Sequence, residues 1–150
     1  MLVEAQVSIN APRAAVWAVM ADIANAAQTC SGIEKIEILE KPAQGLVGLK
    51  WRETRILFDK PASADKWITE AVESEFYKTK AEDGGFQFVS TLRLSEGPGG
   101  GVMLTSIHDS LPQTFMARIM SIPMRLFFKG VARKALVQDL NDIKAAAERR

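Results

Sequence analysis

From Gln113 to Arg149 the chain runs for more than thirty residues with one internal proline, Pro123, and one internal glycine, Gly130. Met116, Met120, Met124, Phe127 and Val131 recur at spacings of three and four, and Leu136, Leu140, Ile143 and Ala147 repeat the pattern. That periodicity predicts one long amphipathic helix with a buried stripe. Arg118, Arg125, Lys129 and Arg133 fall on a separate basic stripe. Pro123 removes a backbone donor, so a kink or break is expected there. A helix this long needs a wide apolar surface to lie on, and the rest of the chain must supply it.

The preceding residues read mainly as strands. Leu2 to Ile9 alternates apolar and polar residues, the pattern of a half-buried strand. Asn10-Ala11-Pro12 predicts a helix start with Asn10 as cap. A second short helix from Asp22 to Ala27 follows, and Cys30-Ser31-Gly32 ends it. Strands are then expected over Ile33–Glu40, Leu46–Phe58, Asp65–Val72, Phe76–Glu82, Gly85–Leu94 and Gly101–Leu111, with Asp59–Ala64 as a loop. The tight turns between them, such as Asp83-Gly84-Gly85, imply an antiparallel meander and an α+β class. A sheet of about six to seven strands twists and curls. Wrapped around the long helix, it leaves a gap of the kind that holds small molecules.

At 150 residues the chain has the length of a single domain. Its net charge of +1 argues against a nucleic-acid partner. One cysteine, Cys30, permits no internal disulfide and fits a reducing compartment; as a nucleophile it has little around it in sequence. Residues 1–10 have no signal-peptide pattern, and no apolar run reaches bilayer length, so a cytoplasmic location is expected. The Gly97–Gly101 run lacks the Lys-Ser/Thr and helix of a phosphate loop. One histidine and one cysteine support no metal site, and no cofactor is expected.

Strand alternation sorts side chains onto the inner face. Taking Lys50 and Arg52 as outward leaves Leu49, Trp51, Glu53, Arg55 and Leu57 inward. Lys66 and Glu70 outward leave Trp67 and Thr69 inward. Tyr77 and Thr79, then Phe86, Phe88, Ser90 and Leu92, then Val102, Leu104, Ser106 and His108 complete the inner face. Glu53 and Arg55 either pair there or reach solvent at the strand end, since an isolated buried charge is very costly. His108 could join Glu53 in acid–base work, or be an ordinary satisfied histidine.

Three motifs carry a family resemblance. Asn10-Ala11-Pro12-Arg13-Ala14-Ala15-Val16-Trp17, Gly48-Leu49-Lys50-Trp51-Arg52-Glu53-Thr54-Arg55, and Thr91-Leu92-Arg93-Leu94 before the Gly-rich turn resemble the START-like superfamily. In particular they resemble its bacterial polyketide cyclase/dehydrase and carbon-monoxide-dehydrogenase-subunit-G-like members. The resemblance implies a helix-grip fold, a curved sheet around the long C-terminal helix. It also implies a small hydrophobic or amphipathic ligand, lipid- or polyketide-like, in the cavity between them. On this reading Trp51, Glu53, Arg55, Trp67, Tyr77, Phe88, Ser90, His108, Met116, Met120 and Phe127 contact the ligand. A cyclase or dehydratase would draw its acid–base groups from Glu53, Arg55, Tyr77 and His108. A third possibility comes from the helix alone: a basic stripe beside Met and Phe suits a peripheral membrane or partner-docking module.

Overall fold

A computed structural model describes residues 1–149, Met124 by its backbone alone. The chain forms β1 (Leu2–Ile9), α1 (Arg13–Ala21), α2 (Ala26–Thr29), β2 (Ile33–Glu40), β3 (Lys50–Leu57), β4 (Lys60–Val72), β5 (Phe76–Asp83), β6 (Phe86–Glu96), β7 (Val102–Pro112) and α3 (Phe115–Glu148). A 3-10 turn, Ile23–Asn25, joins the two short helices. The seven strands make one antiparallel sheet in the order β1-β7-β6-β5-β4-β3-β2. The α1–α2 segment thus carries the chain from one edge of the sheet to the other. α3 packs along β1 and β7 and across α1 and α2. The core between them includes Ile9, Val16, Ile68, Leu104 and Leu140, each at most 1% exposed. This is the expected α+β architecture.

Several expected boundaries move, each for a local reason. Pro12, not Asn10, caps α1, and without a side-chain bond. The Asn10 amide instead donates to Glu148 Oε2 at 2.8 Å, tying the end of α3 to the end of β1. The Asp59–Ala64 loop does not form. Phe58 and Asp59, at φ 51° and 64°, make a two-residue turn, and β4 begins directly after it at Lys60. Pro61 is tolerated inside β4 because that stretch pairs only with β3; pairing with β5 starts at Lys66. Residues 46–49 precede β3 rather than belong to it. In the Gly-rich turn, a Cβ on Gly101 would meet the Ile9 carbonyl oxygen at 2.6 Å, so only glycine fits there.

The largest departure is in α3. The helix starts at Thr114, whose Oγ1 accepts from the Ala117 amide at 3.0 Å, and it continues past Pro123 without a break. Its second half is buried as the periodicity predicts: Leu140, Ile143 and Ala147 are at most 6% exposed. Its first half meets the sheet at turns: Ala117 is buried beside Gly85 of the β5–β6 turn, and Phe128 meets Phe58 of the β3–β4 turn. Along this half, Met116, Met120, Phe127 and Val131 of the apolar stripe face outward. Met116, Met120 and Phe127 are 66%, 52% and 73% exposed, so the expectation that they line a cavity is wrong. Equal spacing establishes that side chains share a face; it does not establish what covers that face.

Candidate functional site

A cavity of about 410 Å³ lies between the inner face of β3–β7, the α1–α2 segment and the second half of α3. Trp51, Phe88, Leu92, Leu136, Leu140 and Ile143 supply much of its apolar wall.

Its polar end is built on β3. Regular alternation there turns Trp51, Glu53 and Arg55 inward, as the sequence predicts. Glu53 is 7% exposed and carries three donors: Arg55 Nε at 2.7 Å, Lys66 Nζ at 2.9 Å and Trp51 Nε1 at 3.4 Å. Arg55 also grips Asp139 of α3 with both terminal nitrogens, at 3.3 and 2.8 Å. Two cations and two carboxylates thus close a neutral network across the gap between sheet and helix. Burial alone would push the Glu53 carboxyl up. Lys66 and Arg55 outweigh it and hold the group at about 2. Burial opposes the Arg55 charge too, but Asp139 and Glu53 raise its pKa above the ordinary arginine value. Glu53 is therefore an ionised strut and a poor base.

Alternation predicts Lys66 on the outer face of β4 and Trp67 on the inner; the reverse holds. Opposite β5, Ile68 pairs with Thr79 and Glu70 with Lys78, so Thr69 is an extra residue in β4. This bulge shifts the alternation by one. Glu70 lies outward, bridged to Lys78 at 3.2 Å, while Lys66 and Ile68 lie inward. Trp67 does not reach the cavity. Asp139 is the other residue that strand parity misses. An acid within the apolar stripe Leu136–Leu140–Ile143 is its one available signal.

The second polar feature spans β6 and β7. Ser90 and His108 are direct cross-strand partners, and Ser90 Oγ lies 2.8 Å from His108 Nδ1. Phe88 stacks on the imidazole at 5.8 Å. Burial, then the charge of Lys66, lowers the His108 pKa to about 4, so the ring is neutral near pH 7. His108 is hydrogen-bonded to Ser90, not to Glu53. Tyr77 donates its hydroxyl to the Met20 carbonyl at 3.1 Å, and burial raises its pKa. Its proton serves the fold. Cys30 lines the cavity, but burial pushes its thiol up to about 12, which removes the nucleophile reading. Of the expected ligand contacts, Trp51, Glu53, Arg55, Tyr77, Phe88, Ser90 and His108 line the cavity; Trp67, Met116, Met120 and Phe127 do not. Among the described residues no group of His, Cys, Asp or Glu is placed to hold a metal ion.

The neutral imidazole has a consequence for acid stability. Free histidine titrates near pH 6.5, and folded His108 near 4. Between those values the unfolded chain binds the extra proton, so stability falls as pH falls through that window. For this one group the loss is about 2 kcal/mol on going from about pH 7.5 to about pH 5. Urea unfolding at the two pH values measures it, and His108→Gln should remove that part of the dependence. An unchanged dependence in the variant would mean that other groups carry it.

A family model described as polyketide cyclase / dehydrase and lipid transport matches residues 2–148. No curated protein is significantly similar in sequence. Among solved structures, the Zhui aromatase/cyclase of a Streptomyces species superposes with a TM-score of 0.81 at 20% identity, over 100% of this chain and 94% of that one. A Thermus thermophilus protein gives 0.80 at 14% identity, over 98% and 97%. A START superfamily protein of Mycobacterium smegmatis gives 0.70 at 13% identity, over 99% and 95%. At these identities the likeness is one of fold.

Proposed function

The chain belongs to the polyketide cyclase/dehydrase and lipid transport family, and on that premise we propose that it binds a small hydrophobic or amphipathic molecule in the cavity between sheet and helix. The observation that carries this reading is the cavity itself, with its volume of about 410 Å³, apolar walls and one polar end. That volume lies within the range of ordinary small-molecule sites, and a few fixed polar groups among apolar walls are what orient such ligands. The apolar body of the ligand would lie against Trp51, Phe88, Leu92 and Ile143. Its polar group would meet Lys66, His108 or Ser90. The Glu53–Arg55–Asp139 core of the network is already satisfied by its own partners, so it shapes the site rather than waiting for a counter-charge.

Native mass spectrometry of the purified protein, with extraction of the same sample, tests this directly. A co-purifying apolar molecule, or saturable binding of anilinonaphthalene sulfonate, is the expected result. Phe88→Ala should weaken probe binding roughly tenfold or more, the worth of burying a phenyl face. An empty protein that also binds no apolar probe would sink the reading.

An enzymatic reading has one observation of its own, the Ser90–His108 pair with its neutral imidazole facing the cavity. A neutral imidazole in the cavity wall can donate a ring N–H to a substrate carbonyl and so stabilise an enolate, while its low pKa makes it a weak base. Turnover lost in His108→Gln while binding persists would establish a cyclase or dehydratase. Binding without turnover in the parent protein would leave it a carrier.

A further inference from the structure

We propose that the first half of α3, with the tip of the β3–β4 hairpin, is a docking surface for an anionic lipid bilayer. Three of the stripes along this half define it. Ala117, Phe128 and Ala132 face the protein: Ala117 is buried, Phe128 meets Phe58 edge-to-face at 5.8 Å, and Ala132 lines the cavity. Phe115, Ile119, Ile122 and Leu126, spaced by four, three and four, face away and are 48–78% exposed. Beside them run Arg118, Arg125, Lys129 and Arg133, all exposed. Phe58, 70% exposed at the hairpin tip, adds to the apolar surface.

Charge selects the occupant. Between Asp109 and Asp139 the sequence has five cations, Arg118, Arg125, Lys129, Arg133 and Lys134, and no carboxylate. Among the described residues none of the five has an ion-pair partner. A second copy of the chain would present the same face to itself in a twofold contact, bringing cations together with no carboxylate to meet them. A bilayer carrying anionic headgroups matches both stripes: side chains enter the acyl boundary and the cations stay among headgroups. The helix lies flat, because no helix among the described residues is long and apolar enough to cross a membrane. The surface is continuous with the cavity wall at Leu57 and Ala132, so a lipid-derived ligand would pass from bilayer to cavity without crossing open water.

The test is co-sedimentation of the full chain with vesicles of phosphatidylcholine alone or mixed with phosphatidylserine. Binding to the mixed vesicles, weakened by added salt, is expected. Arg125→Gln with Lys129→Gln should weaken it roughly twenty-five-fold, about fivefold for each cation removed. Ile122→Glu with Leu126→Glu should abolish it while the thermal midpoint stays unchanged, both positions being exposed. Phe88→Ala should leave vesicle binding intact, which separates this surface from the cavity. Failure of the folded parent protein to sediment with either vesicle overturns the proposal. So does equal binding to both vesicles, or a solution dimer that Leu126→Glu dissociates.

Discussion

Replacing Glu53 by glutamine is expected to destabilise the protein by about 3–5 kcal/mol, the cost of leaving buried charge without its partner. The substitution keeps the volume of the side chain. It leaves Lys66 with no carboxylate and Arg55 with Asp139 alone. Lys66→Met should cost less, since Glu53 retains Arg55 and Trp51. In the double variant Glu53→Gln/Lys66→Met the stranded ammonium is gone, so the loss should fall short of the sum of the two singles by about 0.5–3 kcal/mol. Urea unfolding of the four proteins measures this. A cost for Glu53→Gln within about 0.5 kcal/mol, typical of surface sites, would mean that the network is solvated.

The second large effect contrasts two leucines in one helix. Leu140 is 1% exposed and Leu126 is 78% exposed. Leu140→Ala should cost about 2–5 kcal/mol, because it removes buried methyl groups from the core between sheet and helix. Leu126→Ala should change stability by no more than about 0.5 kcal/mol. Comparable losses at both positions would show that the first half of α3 is covered in solution by part of the chain itself. That comparison reports on the helix without reference to any ligand or lipid.

The parts of the fold that depend on local alternation are legible in the sequence. β1, β5 and β7 follow strict parity, and on β3 alternation alone assigns Trp51, Glu53 and Arg55 to the inner face. Lys66 and Trp67 exchange places because alternation anchored on Lys66 and Glu70 together assumes one frame, and Thr69 separates the frames of those two residues. An extra residue in a strand has no signature in hydropathy. Asp139 escapes strand parity because its partner, Arg55, is far away in sequence, and the second half of α3 reads as ordinary alanine and charge. The Met and Phe content of the first half of α3 suits a cavity wall. The same content suits an outer surface, and only the placement of the sheet decides between them. Parity turns Ser90 and His108 inward one at a time, but their hydrogen bond depends on the β6–β7 register, which parity does not contain.

The extra residue at Thr69 also bears on how this chain should be compared with its relatives. On one side of it the inward residues are Lys66 and Ile68; on the other, Ala71. A homologue without the bulge can be matched position by position on only one side, unless one residue is left unpaired in the alignment. Misplacing that gap equates interior residues with surface ones and makes a shared interior look diverged. A family can also gain or lose an interior cation by a one-residue insertion or deletion in this strand, with every other amino acid unchanged. An alignment that leaves Thr69 unpaired keeps Lys66, Ile68 and Ala71 together on one interior face.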